Sequence, residues 1–168
     1  MTSLAESNAR TLRAIDTLAP YFQKRVRGWC TEMVNSKIPP LIYCGRRTME
    51  EQAALFAIGR TAPGKIVTKA RPGESYHNHG LAFDWAPLKI WTKNPDLYVA
   101  DWNDETAFRL GEHVGQSFEL AAISWETGHL QAAEYASWRD IPRKDVEQPT
   151  QQNVAKSVST RRVKMRKP

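Results

Sequence analysis

Mixed helix and strand in one chain is what this sequence predicts, on three observations. Apolar residues recur at three- and four-residue spacing in several long stretches. They alternate in shorter runs between those stretches. Capping and turn residues stand at the joins. The chain has 168 residues, enough for one domain with a sizeable core. No apolar run approaches the roughly 20 residues that a membrane span needs.

Residues 7–18 read as a short helix, and Pro20 fits the first turn of a second, where its missing N–H costs nothing. Ile15, Leu18, Phe22, Val26, Trp29 and Met33 make one apolar stripe through both, which is expected to be core. Asn35-Ser36-Lys37 and Pro39-Pro40 end the second helix. Leu41–Cys44 is a short strand closed by Gly45. Thr48-Met49-Glu50-Glu51 is a capping box, so a helix runs from there to about Ile58, with Gly59 suited to the left-handed position after it. Arg47 therefore sits at a strand-to-helix corner. Residues 60–64 and 70–74 are loop, with a short extended piece expected at Lys65–Thr68. From Gly80 to Pro87 the chain alternates: Leu81, Phe83 and Trp85 point one way, Ala82, Asp84 and Ala86 the other. The large face should be core, and the small face leaves room beside the Asp84 carboxylate. Residues 88–102 read as loop and edge structure, Asp104–Gln116 as helix and Leu120–Trp125 as strand. Ala132–Trp138 has no clear type.

Charge divides the chain. Residues 1–142 carry 16 basic and 16 acidic side chains, whereas 143–168 carry eight basic against Asp145 and Glu147. The net charge of +6 therefore lies wholly in the last segment. Two regions are expected: a domain over 1–142 and a basic, flexible tail over 143–168 with little to pack. Near an anionic polymer or lipid surface each tail charge is worth up to ~1 kcal/mol, screened by salt. Nucleic acid is not the expected partner, because the tail lacks interleaved aromatics for stacking. Cys30 and Cys44 have no metal-ligand spacing and are expected as buried thiols. The first residues lack the basic and apolar segments of a signal peptide, so the chain is expected to be made in the cytoplasm.

The chemistry concentrates in Ser75-Tyr76-His77-Asn78-His79-Gly80-Leu81-Ala82-Phe83-Asp84 and in Glu126-Thr127-Gly128-His129. Three protein ligands and an open position make a catalytic zinc site, and zinc accepts imidazole nitrogen and carboxylate oxygen. Asp84 is the best carboxylate and His129 the downstream imidazole. The third ligand is His77 or His79, which lie two residues apart. Glu126, three residues before His129, is placed to take a proton from an activated water. Peptide hydrolysis also needs charge stabilisation at the carbonyl oxygen, for which Arg47 is the candidate. Ser75 would hydrogen-bond a substrate or cap its own loop.

These residues resemble a family. Cys44-Gly45-Arg46-Arg47-Thr48-Met49-Glu50-Glu51-Gln52, Leu55–Thr61, Pro63-Gly64 and Ile66-Val67-Thr68 look like the N-terminal half of bacterial and phage L-alanyl-D-glutamate endopeptidases. Their S-x-H-x-x-G-x-A-x-D pattern is matched by Ser75, His77, Gly80, Ala82 and Asp84. Glu126–Gln131 resembles the segment carrying their catalytic acid and last ligand. The wider group includes D-alanyl-D-alanine carboxypeptidases. The resemblance spans about residues 8–131. It implies an α+β fold: a small antiparallel sheet with helices packed on one side and a single zinc site at the sheet face. It also implies one Zn²⁺ on His77, Asp84 and His129, with Glu126 as general base and Arg47 stabilising the transition state. Ser75, His79 and Gln52 become candidate substrate contacts. Two positions depart from the pattern. Glu126 stands where endopeptidases often have Asp, and Arg46 where Tyr is common, which leaves Arg46 as a rival to Arg47.

The expected function is hydrolysis of the L-Ala–D-Glu bond of the peptidoglycan stem peptide by a monomeric, antimicrobial endolysin of bacteriophage type. It would act in the periplasm after release through a holin. The alternatives are a D-alanyl-D-alanine carboxypeptidase and a non-catalytic, metal-stabilised wall-binding module.

Overall fold

The structure, a computed structural model, describes residues 1–142. The boundary expected at 142–143 and the tail beyond it lie outside the described residues. Among the described residues the architecture is α+β, with four helices around a six-stranded antiparallel sheet that does not close.

The chain begins with a two-residue strand β1 (Thr2–Ser3) and turns at once into α1 (Leu4–Asp16). α1 starts three residues earlier than the apolar spacing suggests. Ser3 and Glu6 form a capping box, each side chain bonding the other's backbone N–H, so the first turn is stabilised locally. α2 (Pro20–Asn35) has Pro at its first turn as expected. The stripe through α1 and α2 is core: Phe22, Val26, Trp29 and Met33 are 0% exposed. Burial of each such aliphatic or phenyl side chain stabilises the fold by about 1.5–3 kcal/mol.

β2 (Pro40–Cys44) leads through the Gly45–Arg47 corner into α3 (Met49–Ala57), whose capping box is Thr48 with Glu51. β3 (Ala82–Trp91) is the central strand. It pairs with β2 (Ile42 opposite Trp85), with β4 (Asn94–Ala100) beyond Leu88, and with β6 (Glu126–Ala132) through Phe83–Leu130 and Asp84–His129. β1 covers the outer edge of β4. α4 (Glu105–Gln116), capped by Asp104, precedes β5 (Leu120–Ile123), which forms a tight hairpin with β6.

Phe83 and Trp85 pack under α2 and α4. The Trp29 and Trp85 rings meet edge-on at 4.9 Å, and Phe108 lies 5.2 Å from Trp85. The Trp29 indole N–H donates to the Gly111 carbonyl at 2.8 Å. α3 stands outside this core; Gln52 is its one buried residue.

Three expectations are corrected. Lys65–Thr68 forms no strand, and Ile66 and Val67 are exposed. Residues 88–102 are more regular than loop, because β3 runs on to Trp91 and returns as β4. The small face of β3 is not open: Ala82 and Ala86 are fully buried and Asp84 is 5% exposed. Two imidazole rings occupy the space those small side chains leave.

Candidate metal centre

Ser75 opens a 3₁₀ turn at Tyr76–His79, its hydroxyl accepting from the His77 N–H at 3.3 Å. Gly80 closes the turn at φ 67°, a left-handed conformation that glycine adopts without strain. The turn is pinned to the corner after β2. The Arg47 N–H donates to the His77 carbonyl at 3.0 Å, and the Asn78 amide donates to the Arg47 and Thr48 carbonyls at 3.0 and 3.2 Å. His77 is thereby folded back over Asp84, while the β3–β6 register sets His129 directly across from it.

The three groups converge. His77 Nε2 lies 3.2 Å from Asp84 Oδ1, His129 Nδ1 lies 3.0 Å from the same oxygen, and the two nitrogens are 3.3 Å apart. A tetrahedral ion with bonds of about 2.0–2.1 Å needs ligand–ligand edges of about 3.3 Å. The triangle matches one face of such a tetrahedron in size.

The outer nitrogens fix the tautomers. His77 Nδ1–H donates to the Gly45 carbonyl at 2.8 Å, and His129 Nε2–H donates to Gln131 Oε1 at 3.2 Å. A neutral imidazole so held turns a bare lone pair inward. Two lone pairs and a carboxylate oxygen thus face one another in a buried space, an arrangement that a cation stabilises. A proton serves in its place. Burial opposes the charge on His77, but the hydrogen bonds to Asp84 and Cys44, with the charges of those groups, hold its pKa up at about 10. Burial likewise works against the Asp84 carboxylate, and bonding to His129 and His77 outweighs it, so its pKa lies well below the usual range.

The other expected site residues fall in two groups. Glu126 and Arg47 border the triangle. Glu126 Oε2 is 4.0 Å from His129 Nδ1 with its side chain half exposed, and Asp84, Glu126 and His129 form a second set of clustered donor atoms. Arg47 Nη2 lies 3.8 Å from Asp84 Oδ2, and its Nη1 donates to Gln52 Oε1 at 2.9 Å. Arg46 stands one residue off, its N–H bonded to Thr17 Oγ1.

The expected substrate contacts are placed differently. Gln52 is fully buried, and its amide is engaged by Arg47 and by the Ala70 carbonyl at 2.8 Å, so it braces the guanidinium and offers nothing to a substrate. The Ser75 hydroxyl caps its own turn. His79 turns to the 71–74 loop, donating from Nε2 to the Gly73 carbonyl at 3.0 Å and leaving Nδ1 buried without a partner. His113 is exposed on α4 and joins no donor cluster among the described residues.

Sequence reasoning missed three supports. Gln131 lies two residues from His129 on the same face of β6, a spacing that a strand reading makes visible. Asn78 and the Gly45 carbonyl gave no local signal. Cys44 was read as a buried thiol outside any metal site. Its sulfur lies 3.8 Å from His77 Nδ1 and 3.6 Å from Arg47 Nη2, and it clusters with His77 and Asp84. Cys30 and Cys44 are both free, and burial pushes the Cys30 thiol up to about 12.

The chain is similar to the peptidoglycan L-alanyl-D-glutamate endopeptidase CwlK of Bacillus subtilis (strain 168), with 54% identity over 115 residues. The match takes in 64% of this chain and 60% of CwlK. The chain therefore spans about three fifths of the length of that relative. No protein-family model matches. A solved L,D-carboxypeptidase, DacB from Streptococcus pneumonia, superposes on 84% of this chain and 73% of its own, with a TM-score of 0.49 and 18% identity, too distant to inform the site.

Proposed function

We propose that the chain is a zinc peptidase that cuts the L-Ala–D-Glu bond of the peptidoglycan stem peptide. One observation carries the reading: two imidazole lone pairs and a carboxylate oxygen meet at 3.0–3.3 Å with a carboxylate and a guanidinium beside them. The kinship with CwlK supplies the bond. His77, Asp84 and His129 would hold the ion. When bound, zinc polarises a carbonyl and makes water acidic near neutral pH.

The remaining chemistry belongs to the chain. Glu126 Oε2, at the exposed start of β6 and near His129, takes the proton of the attacking water and returns it to the leaving amine. Arg47, braced by Gln52, directs its guanidinium at the negative charge that develops on the carbonyl oxygen. Gly45 and Gln131 keep both imidazoles in the tautomer that faces inward.

The test is digestion of purified peptidoglycan by zinc-loaded protein, followed by mass spectrometry of the fragments. A new D-Glu amino terminus is the expected result. Free D-alanine instead would establish the carboxypeptidase reading, which Glu126 in place of Asp favours. Wall binding without any new terminus would leave a binding module. The finer reading, a monomeric phage-type endolysin that reaches the periplasm after release through a holin, predicts turbidity loss when the protein is added to cells with a permeabilised outer membrane. The basic segment 143–168 is proposed to hold the enzyme to anionic envelope polymers, so deleting 150–168 should weaken wall binding at low salt.

A further inference from the structure

A groove of about 690 Å³ runs between α1 and α3 over the end of β2. Arg10 and Arg13 line it from α1, and Arg46 and Arg47 from the corner after β2. Glu51 is the one acidic residue on its walls, and its carboxylate accepts from the Thr48 N–H at 2.7 Å. Two of its wall residues also touch the candidate metal centre: Arg47 Nη2 lies 3.8 Å from Asp84 Oδ2, and the Cys44 sulfur 3.8 Å from His77 Nδ1. Its volume is that of a site for a ligand of a few residues.

Four guanidinium groups around one concavity repel one another, and low-dielectric walls concentrate their field. Arg10 and Arg13 enter no ion pair among the described residues. The domain as a whole is charge-balanced, with 16 basic and 16 acidic side chains over 1–142, so this wall does not reflect a generally basic protein. Planar guanidinium forks match carboxylates in particular, and Leu55 offers an apolar strip for methylene groups.

We infer that this groove receives the leaving-side half of an acidic peptide substrate, its arginines binding the free carboxylate of the residue just past the cut bond. The inference rests on the peptidase reading above and names where that substrate lies. A glutamyl residue has two carboxyl groups and at most one continues the chain, so one free carboxylate stands beside the reacting bond. The alanyl side has none. Arg13 and Arg46 act here as specificity residues.

The test uses zinc-loaded protein and the uncleavable product dipeptide D-γ-Glu-L-Lys, compared with its α-carboxamide analogue, by titration calorimetry. The acid is expected to bind at least about 10-fold more tightly than the amide. Added NaCl should weaken the acid more than the amide. Arg13→Gln with Arg46→Gln should bring the acid down to the amide's affinity, whereas the paired lysine substitutions should keep part of the preference. Equal binding of acid and amide, binding of neither, or a preference that survives the double Gln variant would each overturn the groove assignment. Peptidoglycan digestion is read separately. Cleavage without the preference removes the groove and leaves the peptidase, whereas the preference without cleavage does the reverse.

Discussion

The two segments that meet at the metal centre are built in opposite ways. Residues 75–84 are buried and clamped: the Ser75 cap, the Asn78 amide and the His77 ring each have a partner on the chain. The β5–β6 hairpin is open. Trp125 is 80% exposed and the Glu126 side chain 53%, and only from Gly128 onward is the strand buried. On the proposed reading the first segment holds two of the ligands, which must not move when an ion arrives. The second, on the same reading, carries Glu126 as the proton-transfer group, which must reach water and then a leaving amine. Rigidity and access are thus divided between two pieces of chain.

Four changes would break or sharpen that contrast. The largest effect is expected on the clamped side. Asp84→Ala leaves His77 and Arg47 facing a buried space without their counter-charge. It should cost about 3–5 kcal/mol in the metal-free protein, read by urea denaturation, and abolish zinc retention, read by metal analysis after dialysis. Glu126→Gln, on the open side, should change stability by less than about 0.5 kcal/mol and keep the zinc. Its kcat should nonetheless fall about 10²–10⁴-fold. Equal losses of stability in the two variants would erase the distinction between the segments.

Gly128 is the joint between the open and buried parts of its hairpin. Its φ is 79°, and a Cβ there would clash with the Trp85 carbonyl oxygen. Gly128→Ala should therefore cost about 1–3 kcal/mol and loosen zinc by displacing His129, measured by competition with a chelator. Wild-type affinity in that variant would mean that His129 is placed independently of the hairpin.

The smallest effect is in pH. His77 is raised from 6.5 to about 10, so its contribution to metal-free stability is complete below pH 6.5 and is lost as the pH rises through about 10. Asp84 is lowered from 3.8, so its contribution is present above that value and is lost as the pH falls further. Metal-free stability should therefore be greatest between about pH 4 and 6.5. Zinc displaces the His77 proton, so binding at pH 7 should release about one proton. Calorimetry in two buffers of different ionisation enthalpy measures this, and zero release would show that His77 is not charged before the ion binds.

What the sequence revealed and what it hid follow from the range of the forces involved. The α3 start was legible because Thr48 and Glu51 satisfy each other within one turn. The α2 start was legible because Pro20 acts on its own backbone. The alternation of Leu81, Phe83 and Trp85 marked a core strand by its period alone. The β1–β4 pairing left no trace, since two residues of strand depend wholly on a partner almost a hundred residues away. Gln52 was misplaced for a related reason. It shares a face of α3 with Met49, Leu55 and Phe56, but a glutamine there gives no apolar signal, and its side chain is held by Arg47 and the Ala70 carbonyl. Of the residues gathered here, Asp84, His129, Glu126 and Arg47 were candidates from residue type and position, whereas spacing left His77 and His79 open and only the family resemblance preferred His77. Their supports at Gly45 and Asn78 could not be named, because a backbone carbonyl and a lone amide have no spacing rule.

The Gly45 carbonyl has a consequence for how this protein would look to a mutational survey. A Cβ at position 45 would meet the Ala14 carbonyl oxygen and Thr17 Oγ1 at 2.5 Å. Every substitution there would be scored as a packing defect between β2 and α1. The atom that orients His77 belongs to the main chain, so no exchange of side chains removes it cleanly. One determinant of the centre is therefore silent to genetics, and an ester in place of the peptide bond between Gly45 and Arg46, which weakens that carbonyl as an acceptor, is the kind of change that would make it audible.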